Sequence, residues 1–170
     1  MFEMANRNAC TEEILLALRR QRTYVVLFQE AVANRLGINV TDLVCGDIVL
    51  RNPGISPGAL VEMTGLTSGA VTAVIDRLER ARLARRVRDP KDGRRVGIVP
   101  LPARAGEYTT VYDKLNARLA TLCASVGTQE LRAIQKFVDA LEKIVEDETL
   151  ELRVESRRQR ARLSRGITTS

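Results

Sequence analysis

Apolar residues recur at helical spacing through most of this chain, and the interruptions mark its turns. Over residues 11–36 no glycine or proline breaks the run, and Ile14, Leu18, Val25, Phe28 and Val32 return on one face, which predicts one long helix ended by Gly37. Thr11, with Glu12 and Glu13 behind it, suits the start of that helix. A second helix is predicted from a cap at Thr41 to about Arg51, with Leu43, Val44, Cys45 and Ile48 inward and Asn52-Pro53-Gly54 stopping it. Ser56 caps a third, with Pro57 at its first position and Leu60 and Met63 facing inward, and Gly65 ends it. Thr67 or Ser68 caps a fourth whose apolar face is Val71, Val74, Ile75 and Leu78. Residues 83–87 and 96–101 read as short strands around the turn Asp89-Pro90-Lys91-Asp92-Gly93. Pro102 opens a helix running to about Cys123, with Tyr108, Tyr112, Leu115, Leu119 and Leu122 as its stripe. Gly127 breaks the pattern, and Thr128 caps a last helix with Leu131, Ile134, Phe137, Val138, Leu141, Ile144 and Val145 inward, continuing beyond Leu152.

Two short helices on a tight corner followed by an arginine-loaded hairpin have the spacing of a winged helix-turn-helix. The predicted fold is mainly α, with a small β-hairpin wing, flanked by long N- and C-terminal helices. The expected organisation is a single domain over 1–170, a winged helix-turn-helix DNA-binding region at 41–101, dimerisation helices at 11–37 and 102–152, and a basic tail at 153–170. Three helices of about twenty residues carry more apolar surface than so small a central unit covers. Burial against a second copy accounts for it most simply, and packing within one chain is the alternative.

Charge sharpens the picture. The chain carries a net +6, and residues 80–95 alone hold eight basic side chains against Asp89 and Asp92. That concentration points to a polyanion. The tail from Arg153 to Arg165 carries six arginines and reads as a solvated end or an arm toward phosphate. Cys10, Cys45 and Cys123 are scattered and odd in number, so neither a disulfide framework nor a zinc ribbon is expected, and a metal site is disfavoured further by the absence of histidine. No cofactor is expected. No signal-peptide core or run of ~18 apolar residues appears, so the expected setting is cytoplasmic, away from membrane. Without histidine, a carboxylate dyad or a glycine-rich phosphate loop, catalysis is not expected either.

The run LTSGAVTAVIDRLERARLARRVRDPKDGRR, residues 66–95, resembles the MarR family of dimeric winged-helix transcription regulators. The resemblance is carried by Leu66-Thr67, Val71-Thr72, Asp76-Arg77-Leu78-Glu79, Leu83 with Arg86, and Asp92 to Arg94, and the order of helices extends it over about 12–150. Two departures stand out. Gly69, Ala70 and Ala73 occupy places where the family often carries polar or basic side chains. The segment Leu101-Pro102-Ala103-Arg104-Ala105-Gly106 closes the wing one or two positions late, which leaves Arg94 and Arg95 as alternatives for the wing-tip arginine.

These residues define an expected interface with double-stranded DNA. A helix in the major groove brings Ser68, Gly69, Thr72 and Ala73 near base edges and phosphates, with Ser56 and Thr67 at helix N-termini beside them. A thymine methyl can pack on Ala73 or the Thr72 methyl; alternatively the small residues serve packing only. Arg77 reads as a phosphate clamp or as an internal partner of nearby acids. Arg94 or Arg95 suits a narrow minor groove, Asp92 would hold a neighbouring arginine in place, as the resemblance implies, and Arg86, Arg88 and Lys91 suit phosphate. A homodimer would present two such units to a pseudo-palindromic operator, with repression as the default output. The resemblance also implies an effector pocket, commonly for phenolic or other aromatic carboxylates, with Tyr24, Phe28, Leu43, Asp47, Arg51, Tyr108 and Tyr112 as its expected walls. Rival readings are a redox trigger at Cys10, ahead of the first helix, and an architectural DNA-binding or protein-interaction module without small-molecule control.

Overall fold

The computed structural model describes residues 2–88 and 95–166, apart from the side chains of 2–5, 103–105, 108 and 160–166. The chain divides into two compact units, Met1–Tyr112 and Asp113–Ser170. Six helices and one hairpin are described: α1 (Phe2–Leu36), α2 (Val40–Arg51), α3 (Pro57–Thr64), α4 (Ser68–Arg80), β1 (Ala84–Arg88), β2 (Val96–Pro100), α5 (Pro102–Ala124) and α6 (Thr128–Gly166). The mainly helical fold with a small hairpin is the one the apolar pattern predicts.

Several boundaries differ from that pattern, each for a local reason. α1 begins at Phe2, and Thr11 lies inside it, its hydroxyl donating 2.8 Å back to the Arg7 carbonyl. Helix formers precede Thr11 without a breaker, so nothing stops the helix there. Asn39, not Thr41, caps α2: its side-chain oxygen accepts from the Asp42 N–H at 2.8 Å. Ahead of α6, the Gly127 N–H donates to the Glu130 carboxylate at 2.9 Å. α6 runs through Arg153 and on to Gly166, so the basic tail is helical as far as it is described.

In the first unit, α3 and α4 meet at an angle of 112° across Gly65-Leu66-Thr67. Gly65, with φ of 70°, supplies the left-handed turn, and its N–H donates to the Val61 carbonyl at 2.8 Å. β1 and β2 are antiparallel, with Arg86 opposite Ile98 and Val87 opposite Gly97. The segment between α2 and α3 adds one more pairing at Ile55 and Ile98. Leu101 donates to the Leu83 carbonyl at 2.9 Å and closes the base of the hairpin. Gly97 makes this junction possible, because a Cβ there would sit 2.8 Å from the Gly54 carbonyl oxygen.

The main core joins Cys45 and Val49 of α2, Leu60 of α3, and Val71, Val74, Ile75 and Leu78 of α4 to Ala84 and Ile98 of the hairpin. A second cluster sets Val32, Ala33 and Leu36 of α1 against Leu43, with Phe28 and Tyr112 beside it. Met63 and Val44, expected inward, are 49% and 40% exposed. Val44 lies beside the buried arc of Leu43, Cys45, Ile48 and Val49, and Met63 lies one turn beyond Leu60, the buried residue of α3. In the second unit, the apolar residues of α6 are largely open: Ile134, Phe137, Val138, Ile144 and Val145 each expose about half their surface.

Candidate nucleic-acid interface

The interface is built on α4. Thr67 has extended backbone angles and accepts the Ala70 N–H on its hydroxyl at 3.2 Å, so the helix starts cleanly at Ser68. Ser56 does the same for α3, accepting from the Ala59 N–H at 3.1 Å. With Val71, Val74, Ile75 and Leu78 buried, the 3.6-residue period turns Gly69, Thr72, Ala73 and Asp76 outward together. The Thr72 hydroxyl donates to the Ser68 carbonyl at 2.9 Å. Its hydrogen is thereby engaged within the helix.

Arg77 lies to the side of this face. Its Nε donates to Asp42 Oδ2 at 2.8 Å and its Nη2 to Asp42 Oδ1 at 2.7 Å, a two-point grip on a carboxylate only 1% exposed. The hydrogen bonds to Asp42 hold the guanidinium pKa above its ordinary value despite some desolvation. Of the two roles the sequence allows Arg77, the internal pair is the one the structure contains. It joins α4 to α2.

Arg86 is also occupied. Its backbone N–H donates to Glu79 Oε1 at 2.7 Å, its Nη1 pairs with the other oxygen of Glu79, and its Nη2 reaches Asp76 Oδ1 at 2.6 Å. Burial works against its charge, but the Asp76 and Glu79 carboxylates outweigh that, so its pKa ends above the usual value. The guanidinium expected at phosphate ties β1 to α4, because register 86 faces the carboxylate edge of that helix. Arg88 is exposed at the end of β1, and Arg95 is exposed just before β2. Lys91, Asp92 and Arg94 lie outside the described residues.

The expected effector walls are only partly brought together. Phe28 and Tyr112 meet edge to face, ring centres 5.6 Å apart, in the cluster that includes Leu43. Tyr24 is 70% exposed and outside that cluster. Asp47 and Arg51 pair with each other at 2.6 Å on the surface of α2. The Tyr108 side chain lies outside the described set. Leu43 does line a small cavity of about 30 Å³, with Ile38, Gly46, Leu50, Leu78 and Leu83 around it and Asp42 at its edge. An open cleft of about 520 Å³ lies between Asn39, Arg77 and Arg80, with Ile38 and Ala81 also in its wall.

Cys45 is 1% exposed, and burial, aided by the Asp42 charge and opposed by Arg77, pushes its thiol up to about 11. Cys10 is exposed, and it lies within α1 and not ahead of the helix. Among the described residues no single helix is long and apolar enough to cross a membrane. The α3–α4 pair passes that test only as a bent pair, and its apolar residues are those of the main core. No group of three or more metal-ligating side chains occurs among the described residues.

Nothing in the sequence singles out Asp42, and Asp76 and Glu79 stand out there only within the resemblance, not as the partners of Arg86. The acids beside Arg77 hinted at pairing, but nothing in the local pattern marks Asp42, 35 positions away, as its buried partner.

A capped helix held on a helix-turn-helix corner, one face in the core and one face open, beside a two-stranded hairpin, defines a winged-helix DNA-binding regulator. A model of the MarR family matches residues 47–95. The chain is 38% identical over 148 residues to the uncharacterized HTH-type transcriptional regulator YcgE of Bacillus subtilis, covering 85% of this chain and 96% of that protein. In fold it is similar to Streptococcus pneumoniae FabT, solved in complex with DNA, at a TM-score of 0.65 and 20% identity over 80% of this chain and 97% of that one. It is likewise similar to a MarR family protein from Bacillus stearothermophilus, at 0.63 and 21% over 80% and 95%. The chain belongs to the MarR family of winged helix-turn-helix transcriptional regulators, which bind DNA and are not enzymes.

Proposed function

We propose that this regulator acts in the cytoplasm as a homodimeric repressor of a pseudo-palindromic operator. The observation that carries the reading is the outward face of α4, where Ser68, Gly69, Thr72 and Ala73 are exposed beside a capped N-terminus. Such a face suits the major groove, while the N-terminal amides of α3 and α4 suit phosphate. Arg88, Lys91, Arg94 and Arg95 form the wing's contribution, with an arginine at 94 or 95 in the minor groove, Asp92 orienting it, and the others on phosphate. FabT, similar in fold, is solved in complex with DNA, which supports DNA as the partner.

The dimer reading rests on the open apolar faces of α1 and α6, from Ile14 to Leu27 and from Ile134 to Val154. A second copy of this chain covers like with like. Residues 11–37 and 102–152 then serve dimerisation and 41–101 reads DNA.

For the effector, the reading is a small aromatic or phenolic carboxylate at the Leu43 cavity. About 30 Å³ holds only a water or two, so a ring must displace Leu78 or Leu83. Because Leu78 belongs to α4, that displacement shifts the reading helix and changes DNA affinity by population shift.

Protection mapping on the DNA flanking the gene tests the reading, at near-physiological salt, with wild type beside an Arg94→Ala/Arg95→Ala pair. The expected result is a dyad-symmetric footprint that the pair loses. Binding without sequence preference would favour an architectural role instead.

A further inference from the structure

We infer that Gly69 sets how deeply α4 enters the groove, and that the helix reads thymine by apolar contact with its 5-methyl group. The inference rests on the reading that the outward face of α4 meets the major groove.

A glycine inside a helix needs a reason, since alanine forms helix more readily. Three reasons are structural, and Gly69 has none of them. Its φ is not in the left-handed region, which among the described glycines is reached at Gly37, Gly54 and Gly65. A Cβ built on it meets no atom within 4 Å, in contrast to Gly97, whose Cβ would strike backbone at 2.8 Å. It ends no helix, lying at the second position of α4. What remains is a neighbour from outside the chain that approaches the backbone closely.

The chemistry around Gly69 narrows what that neighbour offers. The next outward positions are Thr72 and Ala73. The Thr72 hydroxyl gives its hydrogen to the Ser68 carbonyl, so toward a base it offers no donor, only an accepting oxygen and its methyl. Asp76, one turn further, is held by Arg86 at 2.6 Å. No long polar side chain reaches out from positions 69, 72 or 73, so bidentate hydrogen bonding to a base is not available there. In the major groove the apolar feature of a base pair is the thymine methyl. Methyl-to-methyl contact requires the helix to sit close, and a missing Cβ at 69 permits that.

The test uses the full-length protein and a duplex that wild type selects from a random pool. Binding is then measured for Gly69→Ala, Thr72→Val and Thr72→Ser on the selected site, and for wild type on the same site with thymines replaced by deoxyuridine. Gly69→Ala is expected to keep or raise the melting temperature while binding about tenfold more weakly. Thr72→Val should stay within about twofold of wild type, whereas Thr72→Ser and each contacted deoxyuridine should lose about fourfold, the worth of one buried methyl. Wild-type affinity in Gly69→Ala, a lowered melting temperature in that variant, or indifference to deoxyuridine would overturn the inference and leave the operator reading standing. Failure to select any sequence would overturn both.

Discussion

At the residue scale, the Asp42–Arg77 pair is the most consequential polar contact. Asp42 is 1% exposed and Arg77 about a third exposed, so the pair is buried from one side only. Burying a carboxylate is costly unless it is paired, and removing one partner leaves the other uncompensated. Arg77→Met should therefore lower stability by about 3 kcal/mol. Asp42→Asn/Arg77→Met should recover part of that loss, as urea unfolding can measure. A second prediction concerns Cys45. Its thiol is raised from 9.0 to about 11 in the fold, so between those values the folded protein holds a proton that the unfolded chain releases. Its contribution to stability is full below about pH 9 and is lost as pH rises through 11. In native protein a thiol reagent should titrate Cys10 and Cys123 quickly, with Cys45 reacting only on unfolding. Fast reaction of all three would contradict that burial.

At the element scale, α4 ends in a turn that pairs Leu83 N–H with the Leu78 carbonyl at 2.9 Å and Arg82 N–H with that of Glu79 at 3.0 Å. The left-handed residue this turn requires is Arg82, with φ of 56°, where glycine is usual. Arg82→Gly should raise stability by about 0.5 kcal/mol, the relief of backbone strain less the entropy glycine regains when unfolded. Gly97→Ala should do the reverse, costing about 2 kcal/mol, because the clash is with the Gly54 backbone, which cannot rotate aside. Thermal melts of both variants check the signs. The sequence made the elements legible where punctuation was strong: Pro57, Gly65 and the 71/74/75/78 spacing located α3 and α4 and named the inward face of α4, while of the two residues expected inward on α3 only Leu60 is buried. It failed where a helix had no stop signal, so α1 begins nine residues before Thr11. It also could not separate competing caps, and Asn39 held α2 in place of Thr41.

At the scale of the whole molecule, what was legible is a surface and what was not is its pairing. Clustered arginines at 80–95 announce a polyanion partner, yet the sequence does not say which of them the fold consumes. Of that cluster Arg86 is held by Asp76 and Glu79, and Arg77 just ahead of it by Asp42, contacts that depend on the packing of α2, α4 and β1. Charge available for DNA is accordingly less than the count of basic residues suggests, and salt dependence of binding should report it. If the wing supplies two phosphate or groove contacts per chain at Arg94 and Arg95, the double alanine variant should flatten the slope of log affinity against log salt by roughly two per chain. Effector walls were the least legible part, because aromatic residues at helical spacing read the same way whether they pack, as Phe28 on Tyr112, or face solvent, as Tyr24.

The central claim is that two copies of this chain read one dyad-symmetric DNA sequence. The most direct measurement is selection of binding sites by the purified protein from a random duplex pool, followed by counting chains on the selected duplex by sedimentation. The account predicts inverted half-sites about one helical turn apart, roughly 34 Å, with two chains bound together. Enrichment of a single unrepeated half-site bound by one chain, or no enrichment at all, would contradict it.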